Sequence, residues 1–175
     1  MPLRSSFVVN QQTELPATAT RDQILAMLHD HSLMITLNPL VLNHELASFT
    51  PVPKFRDDTD ATNPRTATHK YSITDKISYL PHGLWDSNMT YTGWFANTAD
   101  GLRTWVQAAA GVEVQGLWFV REAMGGRGLV LEEEATVNCS SLLKPFVEGE
   151  LRKSHEVLHK RFLERLGQGQ ASNAR

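Results

Sequence analysis

Apolar residues recur at every second position through most of this chain, and at helical spacing only near its beginning and at its end. The sharpest alternation runs from 67 to 79. Ala67, His69, Tyr71, Ile73, Ile77 and Tyr79 share one parity, with Thr68, Lys70, Ser72, Thr74, Lys76 and Ser78 on the other. A period of two means a strand with one wet face and one buried face. The same reading predicts strands over 5–12, around Phe7-Val8-Val9, and over 40–49. Another follows Trp85, with Met89, Tyr91 and Phe95 on its face. Residues 102–110 and 112–122 form two more about Gly111, and Leu129, Leu131, Ala135, Val137 and Cys139 line one side of a last. Pro81-His82-Gly83, Asn97–Gly101 and the glycine-rich Met124–Gly128 turn the chain between them. The polar stretch from Arg56 to Arg65, after Pro51-Val52-Pro53-Lys54, reads as a loop.

Helical spacing appears first after Thr20, an N-cap with Gln23 three residues on, as a capping box requires. Ile24, Met27, Leu28 and His31 follow on one face, with His31 at its far end. Ser32–Leu37 is a second short helix, stopped by Asn38-Pro39. The closing helix begins between Ser141 and Pro145 and carries a seam of Leu143, Val147, Leu151, Leu158 and Phe162. Gly167 is expected to stop it. The order predicts an α+β domain over 1–166 with a disordered tail over 167–175. It has a curved antiparallel sheet of about six or seven strands, two short helices after the first strand, and a long C-terminal helix over the sheet. Such a shape encloses a cavity.

Composition narrows the partners. The chain has 175 residues, 41% hydrophobic and 21% charged, with net charge −2. That balance supplies one core and no basic field for nucleic acid or an anionic membrane surface. The single cysteine, Cys139, excludes an internal disulfide and reads as core. With no apolar leader segment and no run of membrane-spanning length, the expectation is a cytoplasmic protein without stable membrane insertion, a monomer or homodimer. The sequons at Asn88 and Asn138 are then idle.

Arg21-Asp22-Gln23-Ile24-Leu25 running into Leu37-Asn38-Pro39-Leu40, the closing Ser154-His155-Glu156-Val157-Leu158-His159, and the element order over about 5–166 resemble the START-like helix-grip superfamily. This is the polyketide cyclase and plant-allergen group (SRPBCC, Bet v 1-like), and the local likeness is to small fungal members. The resemblance implies an internal apolar cavity. It also implies roles from lipid or metabolite carriage to aromatase, cyclase or isomerase steps in biosynthesis of secondary metabolites. Fold does not choose among them.

Chemistry is sought among polar residues on buried parities, since a buried charge requires a partner or a purpose. Glu133 shares the parity of Leu129, Leu131, Ala135, Val137 and Cys139. In an apolar cavity its pKa would rise, making it a general acid or base. A one-residue bulge would instead turn it outward with Glu132 and Glu134. His155 flanks the helix seam, with Ser154 nearer its centre. It is placed to pass a proton, or else is tucked at the helix–sheet boundary. His69 and Asp75 share the apolar parity of their strand, where nearness to a strand end weakens parity as a guide. The catalytic candidates are therefore Glu133, His155, His69 and Asp75. Tyr71, Tyr79, Trp85, Tyr91, Trp105, Trp118, Ser154 and His31 are candidates to bind ligand, against the alternatives of plain core for the aromatics and of a helix C-terminal cation for His31.

His155-Glu156-Val157-Leu158-His159 fits H-E-x-x-H. The extended pattern fails, with Phe162 and Arg165 where Gly and His would stand, so no metal is assigned. Gly125–Gly128 is no phosphate loop and no nucleophile elbow occurs, so no cofactor is assigned. The expected partner is a hydrophobic small molecule. The leading reading is a cofactor-free cyclase, isomerase or dehydratase acting on a polyketide-like or terpenoid-like intermediate. The alternative is a non-catalytic carrier or sensor of lipid or another apolar metabolite.

Overall fold

The computed structural model describes residues 3–48, 68–78 and 86–173. Seven strands form one antiparallel sheet: β1 (Arg4–Glu14), β2 (Val41–Ser48), β3 (Thr68–Ser78), β4 (Asp86–Asn97), β5 (Gly101–Gln107), β6 (Glu113–Glu122) and β7 (Leu129–Ser140). They lie in the order β1-β7-β6-β5-β4-β3-β2, so consecutive strands neighbour one another except that the first crosses to pair with the last. α1 (Arg21–His29) and α2 (His31–Leu37) fill the crossing from β1 to β2, and α3 (Lys144–Asn173) closes the chain. This is a helix-grip α+β fold.

The core lies between the inner face of the sheet and the helices. Ile24 and Leu28 of α1, Leu102 of β5, Leu131 of β7 and Phe162 of α3 are fully buried and belong to one cluster. Burying each such side chain contributes about 1.5–3 kcal/mol. In β7 the burial alternates to its end, and its register with β6 runs without a slip from Glu113↔Asn138 to Glu122↔Leu129.

Local chemistry sets the boundaries. Thr20 accepts a hydrogen bond from the Gln23 amide while the Gln23 side chain accepts one from the Thr20 amide, the capping box of α1. α1 ends at His29, because Asp30 caps both helices. Its backbone N–H bonds back to Ala26 and Met27, while its carboxylate accepts from Leu33 N of α2. His31 therefore opens α2 and does not end the face of α1, which corrects the sequence reading. The strand expected over 102–110 stops at Gln107, where a single 3-10 turn follows over Ala109–Gly111 with Ala110 at φ 56° and Gly111 at φ 71°. Gly167 does not stop α3, which runs on to Asn173. A terminating glycine adopts positive φ, and Gly167 is not among the residues that do. The tail expected from 167 is therefore helical as far as 173. The loop expected after Pro51 and the turn at Pro81-His82-Gly83 lie outside the described residues, as do the candidates Tyr79 and Trp85.

Candidate active site

A cavity of about 410 Å³ lies between the inner face of β3–β7 and the helices α2 and α3. Gly116 is on its wall, where a Cβ would come within 2.4 Å of Thr104 Oγ1. The walls are apolar, with Met34 and Ile35 from α2, Phe95 and Val106 from the sheet, and Val147 and Leu151 from α3. Two polar clusters interrupt them, one at each side.

The first is built on β7 and α3. Glu133 stands opposite Trp118 in an unslipped register, so it points inward with Leu131 and Ala135 and is 4% exposed. Its two oxygens face two histidines one helical turn apart. Oε1 lies 2.6 Å from His155 Nδ1, and Oε2 lies 3.2 Å from His159 Nε2. The His155 contact is close but lacks hydrogen-bond geometry. Thr13 Oγ1 is 2.8 Å from His159 Nδ1. His159 thus bridges the carboxylate, at Nε2, and the Thr13 hydroxyl, at Nδ1. The indole of Trp118 stacks on the His159 ring, with centroids 5.0 Å apart. Trp118, Glu133, Ser154 and His155 all line the cavity, and Ser154 Oγ donates to the Leu151 carbonyl at 3.1 Å.

Glu133 is not the acid of raised pKa that an apolar pocket suggests. Burial pushes it up, but the His155 ring beside it, followed by His159, more than reverses that and holds the carboxyl below its ordinary value. It is an anion that orients two imidazoles.

The second cluster joins β3 and β4. Asp75 is 6% exposed, flanked in register by Val41 and Met89, and lines the cavity with Tyr91. The Tyr91 hydroxyl donates to Asp75 Oδ2 at 3.0 Å, while Oδ1 accepts from nothing. Burial pushes the Asp75 carboxyl up to about 6, against the pull of the Tyr91 bond. Burial and then the Asp75 carboxylate raise the Tyr91 hydroxyl above its ordinary value.

The remaining candidates lie elsewhere. His31 is buried, 2.7 Å from Asn97 Oδ1 and 3.4 Å from the Tyr71 hydroxyl. Burial holds its pKa below the ordinary value. His69 meets it edge-on at 5.0 Å, and Tyr71 packs on Phe95 at 5.5 Å. His31, His69 and Tyr71 thus form a packed polar-aromatic group at the α2 end of the sheet, and none lines the cavity. Trp105 lies on the opposite face from Leu102, Thr104 and Val106, stacked on Trp94 at 4.6 Å, so it is not a cavity residue either. The sequence reading missed His159 and Thr13 as parts of the site. The signal for His159 was the i, i+4 pair of histidines, which marks one shared target on one helical side, whereas nothing in the sequence marked Thr13. That target is a carboxylate. Among the described residues no group of three or more His, Cys, Asp or Glu is arranged to hold a metal ion.

Comparison with known proteins agrees with this architecture. The chain is similar to TTHA0849 from Thermus thermophilus, with 11% identity and TM-score 0.59 over 94% of this chain and 99% of that one. It is similar to the Zhui aromatase/cyclase from Streptomyces sp. R1128, with 9% identity and TM-score 0.58 over 94% of each. It is also similar to norcoclaurine synthase from Thalictrum flavum in complex with a transition-state analogue, with 16% identity and TM-score 0.54 over 93% of this chain and 97% of that one. At these identities the likeness shows the shared helix-grip fold alone. No curated protein matches the sequence. The profile of a family described as a domain of unknown function, DUF7053, matches residues 4–168.

Proposed function

The chain belongs to the DUF7053 family, and from its cavity we propose a cofactor-independent enzyme of the cyclase, isomerase or dehydratase type, acting on a small apolar molecule. The observation that carries this reading is the buried Glu133 carboxylate set against His155 at the cavity wall, 2.6 Å from Nδ1. With Nδ1 close against an anion, His155 presents its other ring nitrogen, Nε2, as the base for a proton on a bound molecule. The same carboxylate stabilises the imidazolium that results. His159, bonded to Thr13 behind it, keeps the carboxylate in place. Trp118 over His159 keeps that side dry and strengthens the charge interaction. The apolar walls hold a flexible chain folded so that its reacting atoms meet, and proximity supplies part of the rate. A polyketide-like or terpenoid-like substrate rests on likeness of fold alone.

The test is product formation. Purified protein is incubated with a panel of apolar metabolites, and mixtures are analysed by mass spectrometry beside His155→Gln and Glu133→Gln. The expected result is conversion of one compound class, slowed about 10²–10⁴-fold in His155→Gln while binding of that compound changes little. Compounds that bind but leave chemically unchanged from wild type and variant alike would establish a carrier instead.

A further inference from the structure

We propose that Asp75 is the anchor for a protonated amine, so that the molecule taken into the cavity is an organic cation with an apolar body. The inference rests on the cavity being a ligand site and narrows what it takes, away from a neutral polyketide. Among the described residues that line the cavity there are three carboxyl side chains, Asp75, Glu133 and Glu150, and no lysine or arginine. Two of the three are accounted for. Glu133 is answered by His155 and His159, and Glu150 is half-buried on the outer turns of α3. Asp75 is answered only by the neutral hydroxyl of Tyr91, and its second oxygen has no partner at all although the residue is 6% exposed.

A carboxylate so placed is costly. An asparagine would accept the Tyr91 proton as well without the charge. Its flanks in the sheet, Val41 and Met89, donate nothing from their side chains. Oδ1 is closed to solvent as the side chain stands, so an ammonium group meets it once the carboxylate turns toward the cavity that Asp75 lines; it would then supply the missing donor and the missing charge together, and a charge-assisted bond of this kind is roughly twice as strong as a neutral one. Tyr91 and Phe95 line the same cavity. Asp75 on β3 and Glu133 on β7 are four strand positions apart. Measured along the curved sheet that is about 19 Å at ~4.8 Å per strand. Nitrogen at one end and the reacting centre at the other therefore lie on a single elongated apolar molecule.

The experiment is calorimetric titration of the full chain with three probes of one shape: 2-(2-naphthyl)ethylamine, 2-(2-naphthyl)ethanol and 3-(2-naphthyl)propanoate. The amine is expected to bind at least about ten-fold more tightly than the alcohol, and the acid more weakly than either. In Asp75→Asn the preference of amine over alcohol should vanish, with alcohol affinity unchanged, while Glu133→Gln keeps the preference. Equal affinity for amine and alcohol in the wild type would overturn the amine assignment and leave the cavity as a ligand site. Failure of all three to bind would overturn both. Should Asp75→Asn not fold, the wild-type comparison of amine with alcohol decides alone.

Discussion

Glu133 and Asp75 are buried alike, 4% and 6% exposed, yet their acidities move in opposite directions. The difference is the neighbour: two imidazoles for one, a phenol for the other. The effects on stability are opposite as well. Glu133, held below its ordinary 4.5, contributes stability that is present above that value and lost as pH falls through its lower folded value. Asp75 binds its proton more tightly folded, at about 6, than unfolded, at 3.8, so it removes stability as pH rises between those values. Asp75→Asn should therefore be more stable than the wild type at pH 7.5, by on the order of 1–3 kcal/mol, with the advantage gone near pH 4. Urea denaturation at the two pH values checks this, and an equal offset at both would mean that titration is not the cause. Parity along 129–139 put Glu133 on the apolar face but left open a bulge that would turn it outward, and only the unslipped pairing with β6 removes that alternative. Its ionisation was not legible, because the histidines that decide it come from a helix up to 26 residues further on.

The strands carry most of what was readable in advance, since period-two alternation is local. Parity also contained the answer for Trp105. Leu102, Thr104 and Val106 face the cavity, so the residue between the last two must face away, and size and aromaticity were the wrong guide. Boundaries were harder. One aspartate serving as the end of α1 and the start of α2 is invisible to periodicity, since both helices stay apolar on the same side. Close approaches between strands are equally hidden. At the β4–β5 turn a Cβ on Gly101 would sit 1.7 Å from the Trp118 carbonyl oxygen, a backbone atom that has nowhere to go. Gly101→Ala is expected to cost more than about 3 kcal/mol, at or beyond the top of the usual 1–3 kcal/mol range for overpacking. Thermal unfolding followed by circular dichroism measures it. Gly125→Ala, with nothing within 4 Å, should cost less, from its positive φ of 95° alone.

For the molecule as a whole, the order of elements was enough to predict a sheet gripping a helix, and with it a hollow. What the hollow admits was not readable, because its volume is a difference between large quantities: the spacing of helix and sheet less the side chains that fill it. Single residues on its wall therefore have leverage. Val114→Phe adds a ring at a lining position of β6 and should abolish binding of an apolar probe such as 2-(2-naphthyl)ethanol, while the melting temperature shifts by only a few degrees. Retained affinity would place the probe elsewhere. Among the described residues no helix is long and apolar enough to cross a membrane.

One further consequence comes from how unevenly α3 is fastened. From Ser154 onward it sinks Leu158, His159, Phe162 and Leu166 into the interior, whereas no residue between Lys144 and Leu151 is fully buried. Those same early turns roof the hollow. Fraying them exposes little of the core, so it costs far less than global unfolding. Any opening of the hollow is therefore expected to start at the loosely sewn end of this rod while the other end stays nailed down.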